Sequence, residues 1–347
     1  MKNSGLCFQF ELKKLLIARR GWLIILAAIL LQIGLGCFSN PHLYEYSYDT
    51  KLYEQYTEVY SGPFKKSNLR KMDANQIVLD KIMSEQTKPD LSSVDAYEKQ
   101  SRRIEMASQK SSVLMAIRDK YASFADFREL EPELTYDLEL TDYIKRFGMN
   151  WASLLCIALL VPLLMLGDKN CGMEQILFPT VTGQARIVRA KLLAACVTGV
   201  AVTAVCTLLQ WILFSLRWNL GKLDVPVQSI TGYAQCSLHS SIGGSLLLSG
   251  IVQVLAVPAA VLILCIFSAL IRKEVPVVAA SVITVAISAL LTEKIPGLRV
   301  FSIASPLSCM QALAQMSGAD LIFMLFFLCL KTTLFAMAAF WLANRKR

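Results

Sequence analysis

Six long apolar stretches constrain this chain more than any other feature of its sequence. A helix needs about 20 mostly apolar residues to cross the hydrocarbon core of a membrane. The six stretches are residues 21–39, 149–167, 192–216, 245–271, 275–291 and 320–342. Hydrophobic residues make up 55% of the 347, more than the polar surface of a soluble protein of this length usually permits. The sequence therefore predicts an all-α integral membrane protein with six transmembrane helices.

The lysines and arginines predict how these helices are oriented. Short cytoplasmic loops carry an excess of basic residues. If the N-terminus is cytoplasmic, fourteen basic residues fall at inner positions and four in short outer loops. The main inner groups are Lys13-Lys14, Arg19-Arg20, Arg272-Lys273 and Arg345-Lys346-Arg347. We predict a multi-pass protein of a bacterial cell membrane, with both termini in the cytoplasm.

The distribution of lysines and arginines also indicates what the chain binds. A net charge of +9 is compatible with nucleic-acid binding by number alone. The basic residues stand at the ends of apolar stretches, however, which is the pattern of membrane topology signals. We therefore predict contact with membrane lipid and no contact with nucleic acid.

A long polar segment, residues 40–148, separates the first two predicted helices and is predicted to lie outside the cell. Apolar and small residues recur there at helical spacing. The two series are Leu69, Met72, Gln76, Leu79, Met83 and Ile104, Ala107, Ser111, Leu114, Ile117, Tyr121, Phe124. Thr87-Lys88-Pro89-Asp90 separates them, and Ser92 with Asp95 resembles a capping box. The segment is predicted to form an antiparallel helical hairpin, preceded by tyrosines that we interpret as packing or membrane-interface residues.

No catalytic machinery can be found in the sequence. It lacks a G-x-x-x-x-G-K-[ST] motif and an H-E-x-x-H motif, and its two histidines, His42 and His239, stand apart from each other. No Cys/His cluster has the spacing of a metal site. The prediction is therefore a non-enzyme without a cofactor or a metal. Cys236 and Cys309 fall in predicted outer loops, and whether they pair stays open.

The segment 168–191, after the second predicted helix, is the most distinctive stretch. It combines an apolar patch, Ile176-Leu177-Phe178, with Pro179 and Gly183, and then with basic residues that lead into the third helix. Two interpretations stand. It is an ordinary loop with inner positive charges, or it lies along the membrane face and offers its apolar patch to a cytoplasmic partner.

This segment resembles the corresponding loop of ABC exporter permeases of the second type (ABC-2). The matching residues, in order, are Asp168, Gly172, Ile176-Leu177, Pro179, Arg186, Ile187-Val188 and Lys191. Met173 departs from the family's usual Thr, and the gap from Pro179 to Arg186 is longer than usual. The amphipathic start, Phe10-Glu11-Leu12-Lys13-Lys14, also resembles the family's segment before the first helix.

The resemblance implies that ATP hydrolysis and transport are carried out by different subunits. Separate cytoplasmic ABC ATPase subunits would hydrolyse ATP, and two permease chains, identical or different, would form the path. The ATPase-coupling residues would be Gly172, Glu174, Ile176, Leu177, Phe178, Pro179 and Arg186. The predicted domains are an amphipathic segment (1–20), a first helix (21–39), the outer insertion (40–148) and helices two to six (149–347).

Two further features of the predicted helices are notable. Lys331 lies near the middle of the sixth, where a charge costs roughly 2.5–3.5 kcal/mol on insertion scales. It is interpreted as a residue of the translocation path or the dimer seam, or as a lysine that reaches an interface. Gly243-Gly244 and Gly250, early in the fourth helix, are interpreted as points of close helix packing.

Two other functions remain open. One is a sensory or structural membrane protein whose outer hairpin binds a ligand; the chain offers no sizeable cytoplasmic signalling domain. The other is a secondary carrier, although the predicted helices lack the paired carboxylates of many ion-coupled carriers. The substrate cannot be derived from the sequence.

Overall fold

The computed structural model describes residues 2–84, 94–125, 130–170, 181–234, 236, 238–271, 273–294, 304–314 and 318–345. These are mainly helical. The helices are α1 (Lys2–Lys13), α2 (Gly21–Phe38), α3 (Thr50–Val59), α4 (Lys66–Ser84), α5 (Val94–Ser123), α6 (Leu138–Phe147), α7 (Trp151–Asn170), α8 (Val181–Arg217), α9 (Ile242–Leu270), α10 (Glu274–Lys294), α11 (Ala304–Leu307), α12 (Cys309–Leu313) and α13 (Gly318–Arg345). A π-helical segment, Lys14–Ala18, and 3₁₀ turns at Leu43–Glu45 and Val227–Ser229 complete the helical part.

Five helical segments within the described residues are long and apolar enough to cross a membrane. They are Gly21–Phe38, Leu138–Asp168, Ala185–Arg217, Ile242–Leu270 and Gly318–Leu342. They correspond to five of the six predicted helices. The remaining one, predicted at 275–291, falls within α10, whose described apolar part is the shorter stretch Val275–Thr284. The prediction of an all-α membrane protein is therefore confirmed in its general form.

The chain divides into two compact units. The first comprises residues 1–39, 146–217 and 246–347 and contains the apolar helices. In it α8 packs against α1, α2, α7 and α13, and α2 also packs against α7. Its largest apolar core includes Ile157, Leu164, Val257 and Cys265. Gly250 permits a close contact between α9 and α8, since a Cβ there would lie 2.5 Å from the Trp211 ring; the predicted packing role is confirmed.

A sharp turn joins the N-terminal segment to α2. Arg20 adopts the left-handed conformation, with φ 53°, which is uncommon for a residue other than glycine. The next residue, Gly21, lies so close to the preceding turn that a Cβ would be 2.6 Å from the Leu15 carbonyl oxygen. A side chain at position 21 would therefore displace the backbone, and Gly21 holds the N-terminal segment against the start of α2.

A break separates α6 from α7 at residues 148–150. Helix ends leave carbonyls without partners inside the helix, and in hydrocarbon such groups must be satisfied by protein. Two glutamines from neighbouring helices do this. The Nε2 of Gln210 donates to the Phe147 carbonyl at 2.7 Å, and that of Gln253 donates to the carbonyls of Gly148 and Leu307 at 2.5 and 2.7 Å.

Replacing Gln253 with leucine is expected to lower the free energy of unfolding by about 1–3 kcal/mol. The substitution leaves two buried carbonyls without a donor, and that is the usual cost of an unsatisfied buried group. Thermal unfolding of the detergent-solubilised chain measures the effect. The same substitution at the exposed Gln55 serves as the control. Equal stability of the two variants would contradict the role given to Gln253.

The second unit comprises residues 40–145 and 218–245. Its helices α4 and α5 form the predicted antiparallel hairpin: the Nε2 of Gln76 donates to the Ser111 hydroxyl at 2.6 Å, and Arg118 pairs with Asp73. The two residue series of helical spacing face the interior in their main members, since Met72 and Leu114 are fully buried. The predicted break and capping box at 87–92 lie outside the described residues.

Tyrosines and a buried ion pair hold the second unit together. Tyr53 and Tyr60 are buried in its core, which confirms packing as one role of the predicted tyrosine group. The Asp137 carboxylate accepts hydrogen bonds from the Tyr53 hydroxyl at 3.3 Å and the Thr231 amide at 2.6 Å, and lies 2.7 Å from the Lys120 ammonium. Burial lowers the pKa of Lys120, and the Asp137 charge opposes that shift.

Residues 218–245, which the sequence predicts to lie in an outer loop, pack onto the rest of the second unit. The Ser229 hydroxyl accepts the Glu133 amide at 3.0 Å, and Glu133-Leu134 forms a short antiparallel pair with Gly62-Pro63. A Cβ on Gly221 would meet the Tyr136 carbonyl oxygen at 2.6 Å. The second unit is thus larger than the predicted insertion.

Candidate functional site

The coupling residues predicted from the sequence have different outcomes. Gly172, Glu174, Ile176, Leu177, Phe178 and Pro179 lie outside the described residues. Arg186 is described: it stands exposed near the start of α8. The role given to these residues therefore stays a prediction, and the site is built from the described helices α7 and α8 and the N-terminal segment.

Five charged side chains meet where α1, α7 and α8 come together in the first unit. We name Glu11, Lys14, Arg19, Asp168 and Lys191 the charge cluster. The Asp168 carboxylate lies at its centre: Oδ1 pairs with Lys14 and, at 2.5 Å, with Arg19, and Oδ2 lies 2.6 Å from the Lys191 ammonium. One carboxylate thus binds three cations from two other parts of the chain.

The helices place these side chains for identifiable reasons. The π-helical segment Lys14–Ala18 adds a residue to the turn, and its end is closed by a hydrogen bond from the Arg19 amide to the Lys14 carbonyl. The Arg19 guanidinium also donates to the carbonyls of Leu163 and Leu164. It occupies the space that a Cβ on Gly167 would need. Gly167 therefore admits Arg19 to the carboxylate that follows it.

The charge cluster is withdrawn from water. Asp168 is 1% exposed, Glu11 3% and Lys191 4%. Desolvation raises the pKa of Glu11, and the nearby ammonium groups of Lys191 and Lys14 oppose this shift. With both carboxylates ionised, three cations face two anions, so the cluster carries a net charge of +1. Buried charges require partners, and Asp168 is the partner that the three cations share.

We call this arrangement the clamp, because the ion pairs of Asp168 hold three segments of the first unit together. Asp168 is near the end of α7 and Lys191 is early in α8, so the two residues flank residues 171–180, which lie outside the described part of the chain. Lys14 and Arg19 bring in the segment that precedes α2. The arrangement joins the N-terminal segment to α7 and α8, and it would resist their separation. Among the described residues, no cluster of three or more His, Cys, Asp or Glu suits a metal ion.

Lys331 lies on the packed face of α13. Met324, Leu328, Phe335 and Ala339 share this face and contact the cores of the first unit or lie buried beside them, and the spacing places Lys331 among them. The lysine is half-buried. The opposite face, which includes the exposed Ile322, Phe326 and Leu330, faces away from this packing. The position suits an interior residue better than one directed into lipid.

Asp168 and Lys191 both belong to the motif that resembles the ABC-2 loop, but their spacing does not predict that they form an ion pair. Glu11, Lys14 and Arg19 were predicted only as topology signals or as part of the amphipathic start. One signal was available: Asp168 is an acidic residue at the end of a span whose neighbouring segments, predicted to be inner, are mainly basic. A carboxylate in such a setting predicts an ion pair. Cys236 and Cys309, whose pairing stayed open, are both free thiols.

The chain was compared with known proteins in three ways. It matches no family model, no curated protein and no solved structure. Its function must therefore be argued from its own residues.

Proposed function

We propose that this chain is the membrane-spanning permease subunit of an ATP-driven ABC-2-type exporter. In this proposal it spans the cell membrane six times with both termini in the cytoplasm, and α10 supplies the sixth crossing. Two such subunits form the path, and separate ATPase subunits bind at the predicted coupling segment, residues 168–191. The second unit then lies outside the cell.

The charge cluster is the observation that carries the proposal. A permease without its own ATPase must receive movement from a partner and pass it to several helices together. Asp168 and Lys191 flank the candidate coupling loop, and Asp168 binds Lys14 and Arg19 of the N-terminal segment. A force on the loop would then act on α7, α8 and the segment before α2 as one body.

The proposed cycle uses this connection as a two-state switch. ATP-driven closure of the partners shifts the loop, and the clamped helix ends follow it. The translocation path changes between an inward-open and an outward-open state, because the ATPase subunits bind one of these two states more tightly than the other. Lys331 lines the path or the seam between subunits in this account.

Replacing Ile176-Leu177-Phe178 with Asp-Ser-Asp is expected to abolish coupling while the permease still inserts into the membrane. Burial of these three side chains against a partner would supply a few kcal/mol, and the new carboxylates would remove that contact. The readout is ATP turnover by the co-purified complex, together with the amount of ATPase that remains bound to the tagged permease.

A matched control replaces two exposed apolar residues of α4, Ile77 with Asp and Val78 with Ser. This control is expected to retain the ATPase at the wild-type level. If the loop variant keeps a full complement of ATPase with normal turnover, the loop is not the coupling element.

The second unit favours one other function, that of a sensory or structural membrane protein. It has its own buried core around Tyr53, Met72 and Leu114, as a ligand-binding module needs. Binding of a ligand to this unit in the full-length chain, with no ATPase partner in the cell, would support that function over export.

A further inference from the structure

An open apolar groove lies in the first unit beside the charge cluster. Its volume is about 290 Å³, and all of the surface exposed to it is apolar. Leu12 and Leu16 of the N-terminal segment form one wall, Ile25 and Ile29 of α2 form the second, and the face of α8 from 197 to 205 forms the third. The groove is therefore built from three separate elements.

The length of the groove matches part of a lipid chain. Positions 197 to 205 span about 12 Å along α8 at 1.5 Å per residue. One leaflet contributes about 15 Å to the hydrocarbon core. Two of the three groove walls belong to α2 and α8, which are long and apolar enough to cross a membrane, so its opening faces hydrocarbon when the chain is in a bilayer.

The charges next to the groove decide between occupants. Within residues 5–20 and 185–191, both acidic and basic residues occur, but the only acid, Glu11, is buried. The exposed charged residues of these two segments are all positive. They are Lys13, Arg20 and Arg186, together with Arg189, whose guanidinium lies over the Phe340 ring of α13 and not at the groove. A second copy of this chain docking here through the same face would bring like charges together. An anionic lipid headgroup would complement them.

We propose that the groove binds one acyl chain of an anionic phospholipid, whose headgroup lies against the basic residues of the N-terminal segment and the start of α8. The lipid fills the space between the N-terminal segment, α2 and α8. It thereby supports the clamp from its apolar side. This site is independent of the export function, since it requires only that the chain is embedded in a membrane.

The test uses the full-length chain purified in mild detergent. Dioleoyl-phosphatidylglycerol and dioleoyl-phosphatidylcholine, which share their acyl chains, are added separately, and bound lipid is counted by native mass spectrometry. We expect one phosphatidylglycerol per chain, bound about tenfold more tightly than phosphatidylcholine, which corresponds to a little over one basic contact. Equal binding of the two lipids would overturn the headgroup assignment.

Two variants locate the site. Ala201→Trp fills the groove and is expected to remove the bound lipid, whereas Ala27→Trp, on an exposed part of α2 outside the groove, is expected to retain it. The double variant Lys13→Gln with Arg20→Gln leaves the groove intact and is expected to reduce the preference for phosphatidylglycerol severalfold. Retention of the lipid by Ala201→Trp would overturn the proposal, as would a change in oligomeric state in place of lipid loss.

Because no ATPase takes part in this measurement, its outcome is separate from that of the proposed function. Loss of the lipid site would leave the coupling experiment on residues 176–178 unaffected. A failure of that coupling experiment would likewise leave the lipid count unchanged.

Discussion

Replacing Asp168 with asparagine is expected to lower the free energy of unfolding by about 3–5 kcal/mol. The carboxylate is 1% exposed and pairs with Lys14, Arg19 and Lys191, whose side chains are 12%, 12% and 5% exposed. Removing one partner of a buried ion pair leaves uncompensated charge, and that is the usual magnitude of its cost. The net charge of the cluster rises from +1 to +2. Thermal or denaturant unfolding in detergent measures the loss.

Two further variants make this prediction specific. Adding Lys191→Met to Asp168→Asn removes one of the unpaired cations, so the double variant is expected to recover part of the lost stability. Glu98→Gln, which removes the exposed pair with Arg102, is expected to change stability by less than about 1 kcal/mol. If Asp168→Asn is no more destabilising than Glu98→Gln, the charge cluster is not the clamp described above.

Replacing Asp137 with asparagine is expected to destabilise the second unit by about 3–5 kcal/mol. Asp137 is 1% exposed and holds the buried Lys120 ammonium, the Tyr53 hydroxyl and the Thr231 amide. The asparagine leaves the Lys120 charge without a counterion in a dry core. Hydrogen exchange of α5 in the full-length chain reports on this unit and is expected to accelerate.

The control for this prediction is Asp73→Asn. Asp73 pairs with Arg118 at the surface, where the two side chains are 43% and 44% exposed. Such pairs contribute at most about 1 kcal/mol, so the exchange of α5 is expected to change little. Comparable acceleration in both variants would show that the buried position of Asp137 has no special effect.

Hydropathy predicted the apolar helices well because the length of an apolar run is set by the thickness of the membrane. The first helix was predicted at 21–39 and is Gly21–Phe38. The boundaries failed where polar residues continue a helix. The third helix was predicted to begin at residue 192, but α8 extends back through Arg186 and Arg189 to Val181, since arginine is a good helix former although it is excluded from hydrocarbon.

Other features depend on contacts between residues that are distant in the sequence. Asp168 and Lys14 are 154 positions apart, and no periodicity links them. The break before α7 contains Gly148 and Asn150, and the Asn150 Oδ1 accepts the Ser153 amide. The donors for its carbonyls, Gln210 and Gln253, come from two other helices. The packing of residues 218–245 onto the second unit likewise depends on hydrogen bonds such as that of Thr231 with Asp137. Such pairings become visible only when the helices are placed in space.

In the proposed function, this chain spans a membrane and takes its driving force from a separate ATPase. The most direct test is to isolate the tagged full-length chain from its native membrane in mild detergent, identify the bound proteins and measure ATP turnover. We predict a P-loop ATPase in near-stoichiometric amount and hydrolysis that depends on it. A chain that carries no ATPase, and that moves a substrate alone on an ion gradient, would contradict the account.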